Sequence, residues 1–284
     1  MPRMPSPSAD SLRRDPLPLR GRTALVTGAS RTGGIGYAVA RRLAAYGASV
    51  YLHHHVPHDA VQPWGAEPGG AEAVAAGVRE ALGDPDALVC HGPADLSDAD
   101  APAELLTTAA DALGGRLDIL VANHALSGFD GALDGIDAAM LDAHWAVDAR
   151  SVILLVQAYA RLRATLPATR TPGGRILMMT SGQDIAGGMP GEIAYALAKG
   201  ALASATRSLA TSLAGLAVTV NCVNPGPVDT DYLDGDAYEA IAAMFPAGRW
   251  GMPDDPARLI AWLATDEAEG ITGQVIDSEG GFRR

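Results

Sequence analysis

The two side chains best suited to acid–base chemistry are Tyr195 and Lys199, which lie four positions apart. Lys199 is the only lysine among the 21 lysine and arginine residues of the chain. At helical spacing both side chains would share one face. An ammonium near a phenol favours the phenolate and lowers the pKa of the hydroxyl, which suits a general acid or base near neutral pH. The same spacing occurs by chance in many helices, so other features must decide.

A glycine-rich segment, residues 27–36, lies between a predicted strand and a predicted helix. Glycines allow a tight turn and let backbone N–H groups approach a pyrophosphate, while the helix N-terminus adds positive potential. In this strand–loop–helix setting the segment predicts a nucleotide-binding loop. A purely structural turn is the alternative.

Short apolar runs alternate with helical periodicity along the 284 residues. We predict helices over 36–46, 71–82, 102–113, 141–166, 195–213 and 256–263. Strands are predicted over 23–26, 49–53, 87–90, 119–122, 175–179, 218–223 and 274–276. Continuous apolar strands separated by helices indicate an α/β, single-domain doubly wound Rossmann fold with a seven-stranded parallel sheet. Two long loops, 53–70 and 229–250, interrupt the pattern, and the second is expected to carry a mobile lid.

The composition narrows the function classes. The formal net charge of -12 argues against a nucleic-acid partner. No apolar run reaches membrane-spanning length, so no membrane partner is expected. Cys90 and Cys222 form no disulfide or zinc pattern, which suggests the cytoplasm. Residues 1–20 lack the apolar core of a secretory signal and are predicted to be a disordered extension before a domain at 21–284.

The order of these motifs resembles the short-chain dehydrogenase/reductase family, close to its 3-oxoacyl-[acyl-carrier-protein] reductase type, over about residues 21–284. The family signature Thr-Gly-x-x-x-Gly-x-Gly corresponds to a loop that is two residues longer here. The segment around Asn123 has His124 where the family has alanine, and Asp95 could equally form a turn before a helix. Together, the resemblance and the loop imply cofactor contacts from Gly28, Ser30, Arg31, Gly34, Ile35, Gly36, Asp95, Leu96, Asn123, Tyr195, Lys199, Pro225, Gly226, Val228 and Thr230.

The resemblance also implies catalytic roles. Tyr195 would exchange a proton with the substrate oxygen, Ser181 would hydrogen-bond that oxygen, and Lys199 would lower the tyrosine pKa and bind the nicotinamide ribose. The alternative for Ser181 is a strand-end turn. The fourth family residue, an asparagine on the long helix, is replaced by Asp148. This departure predicts a retained but altered proton relay.

The choice of cofactor depends on the residues near the end of the second strand. His54 stands where an acidic residue would bind the ribose 2′-hydroxyl of NAD. Arg31 could pair with a 2′-phosphate, so NADP (NADPH) is preferred, with NAD as the alternative if Asp59 enters the site. His53, His54, His55 and His58 cannot all converge on one metal ion from an extended strand, so no metal is expected.

We therefore predict a cytoplasmic, NADP-dependent ketoreductase that reduces a small-molecule ketone to a secondary alcohol by hydride transfer. The alternatives are a nucleotide-binding protein that has lost redox turnover, or a dehydratase or isomerase at the same site. A homo-oligomer, tetramer or dimer, is expected through 141–166 and 196–213, with 279–284 reaching a neighbouring subunit. Acidic residues in 229–250 argue against an acidic carrier protein as partner unless an arginine patch such as Arg207 or Arg249 receives it. A specialised-metabolism ketone and a 3-oxoacyl thioester remain alternative substrates. Predicted substrate-lining residues are Ser127, Phe129, Gln183, Glu192, Tyr232 and Met244.

Overall fold

A computed structural model of the chain describes residues 15–166, 173–185, 187–233 and 235–283. All seven strands within these ranges lie parallel in one sheet of order β3-β2-β1-β4-β5-β6-β7. This confirms the predicted single-domain, doubly wound α/β fold. The strands are β1 (Thr23–Val26), β2 (Ser49–His54), β3 (Val89–Pro93), β4 (Ile119–Ala122), β5 (Gly174–Met179), β6 (Val218–Asn224) and β7 (Val275–Asp277).

The central strands are buried on both faces, as their unbroken apolar sequences predict. Every residue of β1 and β4 is buried, and Leu25 of β1 pairs with Tyr51 on one side and Leu120 on the other. The strand order reverses at β1, between β2 and β4. The loops that leave the carboxyl ends of β1 and β4 therefore part there and open a crevice for a ligand.

Helices cover both faces of the sheet. On one face α1, α3 and α9 bury residues such as Leu43, Val74 and Ile260. On the other face α4, α6 and α7 bury residues such as Leu155 and Leu202. The described α-helices are α1 (Ile35–Ala45), α2 (Val56–Ala60), α3 (Gly70–Arg79), α4 (Ala101–Ala112), α5 (Ala138–His144), α6 (Ser151–Thr165), α7 (Ile193–Leu213), α8 (Gly235–Ala242) and α9 (Asp254–Leu263).

The helix predicted over 141–166 is not continuous. It consists of α5, a π-helical turn (Trp145–Arg150) and α6. Such turns insert a residue into a helix and occur often at functional sites. This one carries Asp148, which is fully buried and is bonded to Leu126 outside the helix and to His144 in α5. The two predicted loops also contain short helices, α2 in 53–70 and α8 in 229–250.

The folded part begins before residue 21. Leu19 is fully buried in the core, and its N–H donates to the Tyr46 carbonyl at 2.9 Å. The predicted disordered extension is therefore wrong for residues 15–20, while 1–14 lie outside the described residues. Within the described ranges, no helix is both long enough and apolar enough to cross a membrane.

Candidate active site

The glycine loop after β1 is packed so closely that side chains are excluded at two positions. Gly28 has a φ of +70°, and a Cβ there would lie 2.7 Å from the Cα of His124. A Cβ on Gly36 would lie 2.6 Å from the Gly28 carbonyl oxygen. Gly34 precedes Ile35, the first residue of α1, and has no side chain to cap the helix. The first N–H groups of α1 therefore face the glycine loop without a side-chain acceptor from the N-cap residue.

Asn123 and His124 hold the end of β4 against this loop. The Asn123 side-chain amide donates to the Thr27 and Gly28 carbonyls at 3.0 and 3.2 Å. His124 places Nδ1 2.7 Å from the Thr27 hydroxyl and Nε2 2.7 Å from the Ser151 hydroxyl. Burial holds the pKa of His124 well below its usual value, so the ring is neutral. His124 thus joins the glycine loop to α6, a role that its bulk alone did not predict.

Arg31 bridges the glycine loop to both long loops. Its guanidinium donates to the Thr230 carbonyl at 2.9 Å, lies 3.6 Å from an Asp59 carboxylate oxygen and stacks over Trp64 at 4.9 Å. Asp59 therefore faces Arg31 directly, the arrangement named above as the case for NAD. Ser30, one residue earlier, accepts a hydrogen bond from the His55 N–H at 3.3 Å.

The histidines at the end of β2 contact the glycine loop and the neighbouring strand β3. His53 accepts from the Gly28 N–H at Nδ1 and contacts the Ala94 carbonyl through Nε2 at 3.0 Å. Burial lowers the pKa of His53 to about 4. His54 contacts His91 at 3.3 Å, and its buried Nδ1 lacks a hydrogen-bond partner among the described residues. Across those residues no group of three His, Cys, Asp or Glu side chains could hold a metal ion.

The segment after β3 fits its structural alternative. Asp95 is exposed and accepts hydrogen bonds from the Ser97 N–H and hydroxyl at 2.9 and 2.7 Å, which forms a turn. Leu96 points into the core beside α4. The structure thus gives both side chains local roles at this position.

The segment after β6 closes the other side of the crevice. Gly226, after Pro225, has a φ of +65°, and a Cβ there would lie 2.3 Å from the Cβ of Glu279. Val228 is buried and bridges to Gly251. The predicted lid that follows packs around Trp250, which is 2% exposed and meets the rings of Tyr232, Tyr238 and Phe245 within 6.1 Å.

The chain end packs on the same segment. The ring of Phe282 lies 5.0 Å from that of Phe245, and the Arg283 N–H donates to the Met244 carbonyl. Residues 279–283 therefore contact their own subunit. Arg284 lies outside the described residues.

Ser181, Tyr195 and Lys199 meet beyond the end of β5. Tyr195 and Lys199 lie in the first two turns of α7. Lys199 is 1% exposed, donates to the Met179 carbonyl at 3.2 Å, and lies 5.5 Å from the centre of the Tyr195 ring. The Ser181 hydroxyl, just after β5, lies between Met189 and Tyr195.

The pKa of Tyr195 shifts in the direction opposite to the sequence prediction. Burial raises the pKa of the hydroxyl, the carboxylates of Asp148 and Glu192 raise it further, and the hydrogen bond with Ser181 opposes them. Burial also lowers the pKa of Lys199, against the effect of Asp148. The expected acidification fails because burial of the hydroxyl, together with the two carboxylates, outweighs any effect of the ammonium.

Asp148, in the π-helical turn, is bonded on both carboxylate oxygens. Oδ1 accepts from the Leu126 N–H, and Oδ2 contacts His144 Nδ1, each at 2.7 Å. Nearby, Asp130 accepts from the N–H groups of Ala194 and Tyr195 at 2.9 and 2.8 Å. Asp130 and His144 were missed from sequence. The only signal was the four-residue spacing of His144 and Asp148, and Asp130 had none.

Comparison with known proteins gives one consistent result. A family model described as enoyl-(acyl carrier protein) reductase matches residues 28–283. An uncharacterized oxidoreductase, YjdA of Bacillus subtilis, is 44% identical, over 92% of this chain and 96% of its own. The chain belongs to the short-chain dehydrogenase/reductase family.

Solved short-chain dehydrogenase/reductase structures agree with this fold. One from Serratia marcescens is 33% identical with a TM-score of 0.77, covering 93% of this chain and 99% of the other. The angucycline C-6 ketoreductase LanV, solved with bound NADP, is 30% identical with a TM-score of 0.77, covering 93% and 96%. This short-chain dehydrogenase/reductase is thus an oxidoreductase of a family that uses NAD(P).

The residues of this family member fit such a dinucleotide. The loop around Gly28 and Gly36 leaves no room for side chains, so only backbone lines it there. The first turn of α1 contains no acidic residue that would repel a phosphate. The glycine loop would hold the pyrophosphate, and the segment from Pro225 to Thr230 would border the nicotinamide end.

Proposed function

We propose that this chain is an NADPH-dependent ketoreductase that reduces a small-molecule ketone to a secondary alcohol. The observation that carries the proposal is the meeting of Ser181, Tyr195 and Lys199 at the carboxyl edge of the sheet, the edge that also carries the glycine loop. The likeness to LanV, which is named a ketoreductase, supports it.

In this reaction Tyr195 is the general acid. Since burial and nearby carboxylates raise its pKa, the hydroxyl keeps its proton at neutral pH and can give it to the substrate oxygen. The Ser181 hydroxyl donates a hydrogen bond to the same oxygen, where negative charge develops. Lys199, fixed by the Met179 carbonyl, supplies positive charge beside the ring. The bound nicotinamide supplies the hydride.

The test of this function is NADPH consumption with a panel of neutral ketones, with formation of the alcohol measured in parallel. We expect the two to match one for one. Product formation without NADPH consumption would instead support a dehydratase or isomerase, and NADPH binding with no reaction would support a protein without turnover. Neither alternative is favoured, because the matching family model and LanV are both described as reductases.

We expect NADPH to bind more tightly than NADH, through Arg31 and His54. Removing the guanidinium in Arg31→Ala should weaken NADPH binding about tenfold or more, the effect of losing one charge-assisted hydrogen bond, and should leave NADH binding nearly unchanged. Calorimetric titration of both nucleotides measures this. Arg41→Ala is the matched control, since Arg41 lies on α1 over Tyr37. Equal losses for NADPH and NADH would show that Arg31 supports the loop and does not select the 2′-phosphate.

The charges around Tyr195 disfavour an anionic substrate. Asp148 and Glu192 both act on the Tyr195 hydroxyl, and Glu192 and Asp229 act on Tyr232, whose pKa burial and these carboxylates raise to about 12. An acidic carrier protein would be repelled by this surface. We therefore propose a free small-molecule ketone, bordered by Tyr232 and Glu192.

We also propose a homo-oligomer, dimer or tetramer, formed through the π-helical turn and α7. Trp145 and Leu197 are 53% and 60% exposed there. Leu197→Glu should shift the oligomer toward smaller species in analytical ultracentrifugation. Leu133→Glu, at a loop residue that is 81% exposed, is the control and should not.

Cys90 and Cys222 are free thiols, and we propose a cytoplasmic location.

A further inference from the structure

A buried histidine lies against the catalytic tyrosine. His144 ends α5, is 1% exposed, and meets the Tyr195 ring edge-on, with 6.0 Å between centroids and 86° between planes. The proposed mechanism gives it no task. A histidine on the inner face of a helix is often only a core residue, so its contacts must show whether it does more.

Both ring nitrogens of His144 face oxygen atoms that accept hydrogen bonds. Nε2 lies 3.0 Å from the Gly128 carbonyl and 3.8 Å from a carboxylate oxygen of Asp130. Nδ1 lies 2.7 Å from Asp148 Oδ2. A carbonyl oxygen can only accept, so Nε2 carries a hydrogen. A hydrogen bond between Nδ1 and the carboxylate requires one more proton between these two atoms. The His144–Asp148 pair therefore shares a proton, whichever of the two atoms carries it.

The charge state follows from the surroundings. Burial lowers the pKa of His144, but the hydrogen bond and charge of Asp148, with the Gly128 carbonyl and Asp130, outweigh it and raise the pKa overall. The pair therefore holds its shared proton more firmly than a free imidazole would.

These contacts connect the π-helical turn to the loop that precedes α5. Asp148 accepts from the Leu126 N–H, and His144 donates to the Gly128 carbonyl, so the loop is held at two points. The same loop carries Asp130, whose carboxylate accepts from the Ala194 and Tyr195 N–H groups.

The Asp130 contacts replace a missing helix cap. The first N–H groups of a helix have no partner within it. Glu192, the residue before α7, provides no side-chain cap. Asp130 satisfies two of these donors from a distant loop, so the loop position sets the first turn of the catalytic helix.

We propose that His144 is a positioning residue for Tyr195: bonded between Asp148 and Gly128, it fixes the loop whose Asp130 anchors the first turn of α7. This inference deepens the proposed function and rests on Tyr195 being its general acid. We call the hydrogen bonds from Asp130 to the Ala194 and Tyr195 N–H groups the loop anchor. Because a displacement of about 1 Å can cost roughly 100-fold in rate, this anchor matters for turnover more than for nucleotide binding.

The anchor should weaken at alkaline pH. The ionisable groups that face the pair are Asp130 on the loop, Tyr195 and Glu192 at the start of α7, Lys199 one turn further on, and His58 on α2. Since the folded pKa of His144 is raised above 6.5, its stabilisation is complete below that pH. It is lost as pH rises through the folded pKa, because a neutral Nδ1 turns its lone pair toward the carboxylate.

Two substitutions separate positioning from packing. His144→Phe keeps a ring beside Tyr195 but removes both donors, and we expect kcat to fall about 10–100-fold while the NADPH dissociation constant stays within about twofold. Asp148→Asn can accept from Leu126 and donate to a neutral His144, which keeps the bonds without a titrating proton. It should retain at least about ten times the kcat of Asp148→Ala.

The pH dependence of the melting temperature gives a second readout. In the unsubstituted protein the melting temperature should fall as pH rises through the His144 pKa, and this decline should be absent from His144→Phe and Asp148→Asn. Tyr159→Phe is the control. Tyr159 is fully buried on α6 and donates to the Asp118 carbonyl at 2.6 Å, far from Tyr195. This variant should melt lower but keep kcat and the alkaline decline.

The proposal is overturned if His144→Phe keeps both the kcat and the alkaline decline of the unsubstituted protein. If His144→Phe does not fold, the His144 ring signals in NMR decide, since a ring that stays neutral from about pH 5 to 8 contradicts the proposal. The melting curves need no turnover. An alkaline decline without any ketone reduction would therefore contradict the proposed function and leave the loop anchor in place.

Discussion

Tyr195→Phe is expected to lower kcat for ketone reduction by about 10²–10⁴-fold, the usual contribution of a general acid. The phenyl ring keeps the contacts with Lys199 and His144, at 5.5 and 6.0 Å, and only the hydroxyl is lost. NADPH binding should therefore change by no more than about twofold. Steady-state kinetics combined with calorimetric titration separates the two effects.

A second tyrosine on the same face of the sheet provides the control for this experiment. Tyr159→Phe also removes one hydroxyl, but at the opposite edge of the sheet, where it bonds to the Asp118 carbonyl. It should keep the kcat of the unsubstituted enzyme. If Tyr195→Phe retained more than about a tenth of kcat, another group would have to supply the proton, and the assignment of Tyr195 would be wrong.

Gly36→Ala is expected to cost about 1–3 kcal/mol, the typical penalty for adding a methyl group to a packed site. The new Cβ would lie 2.6 Å from the Gly28 carbonyl oxygen and 2.8 Å from the Asn123 amide nitrogen. Both atoms belong to the network that shapes the glycine loop, so neither can withdraw without opening it. NADPH binding should weaken by about 5–150-fold, with a lower melting temperature.

Gly215→Ala is the matched control, because a Cβ at Gly215 meets nothing within 4 Å. Calorimetric titration and thermal melting of the two variants should differ clearly. If Gly36→Ala bound NADPH as tightly as Gly215→Ala does, the nucleotide would have to bind elsewhere than at the start of α1.

The sheet was predictable because strands that are buried on both faces consist of short, nearly continuous apolar runs. Strands β1 and β4 match their predicted limits to the residue, since both are short, fully buried and almost entirely apolar. The π-helical turn was not predictable, because apolar periodicity continues on both sides of Asp148. What distinguishes that turn is the pair of hydrogen bonds from Asp148 to Leu126 and His144. The bond to Leu126 joins residues 22 positions apart, and no local sequence pattern predicts it.

The positions of the candidate site residues in the fold were more predictable than the electrostatics around them. The spacing of Tyr195 and Lys199 correctly placed both on one helix. It could not show how deeply the tyrosine hydroxyl is buried or which carboxylates lie near it, and the direction of the pKa shift depends on both. Arg31 is similar: its position was clear, whereas its contacts with Asp59, Trp64 and Thr230 depend on how two long loops fold over it.

The burial of a single lysine within α7 means that proteolysis can report when this helix opens. A lysine-specific endoproteinase can cut this chain only after Lys199, and that bond lies within α7 with the side chain 1% exposed. Cleavage must wait until the helix opens. When opening and closing are fast relative to cutting, the rate of appearance of the two fragments reports the free energy of that opening, including its change when a nucleotide binds.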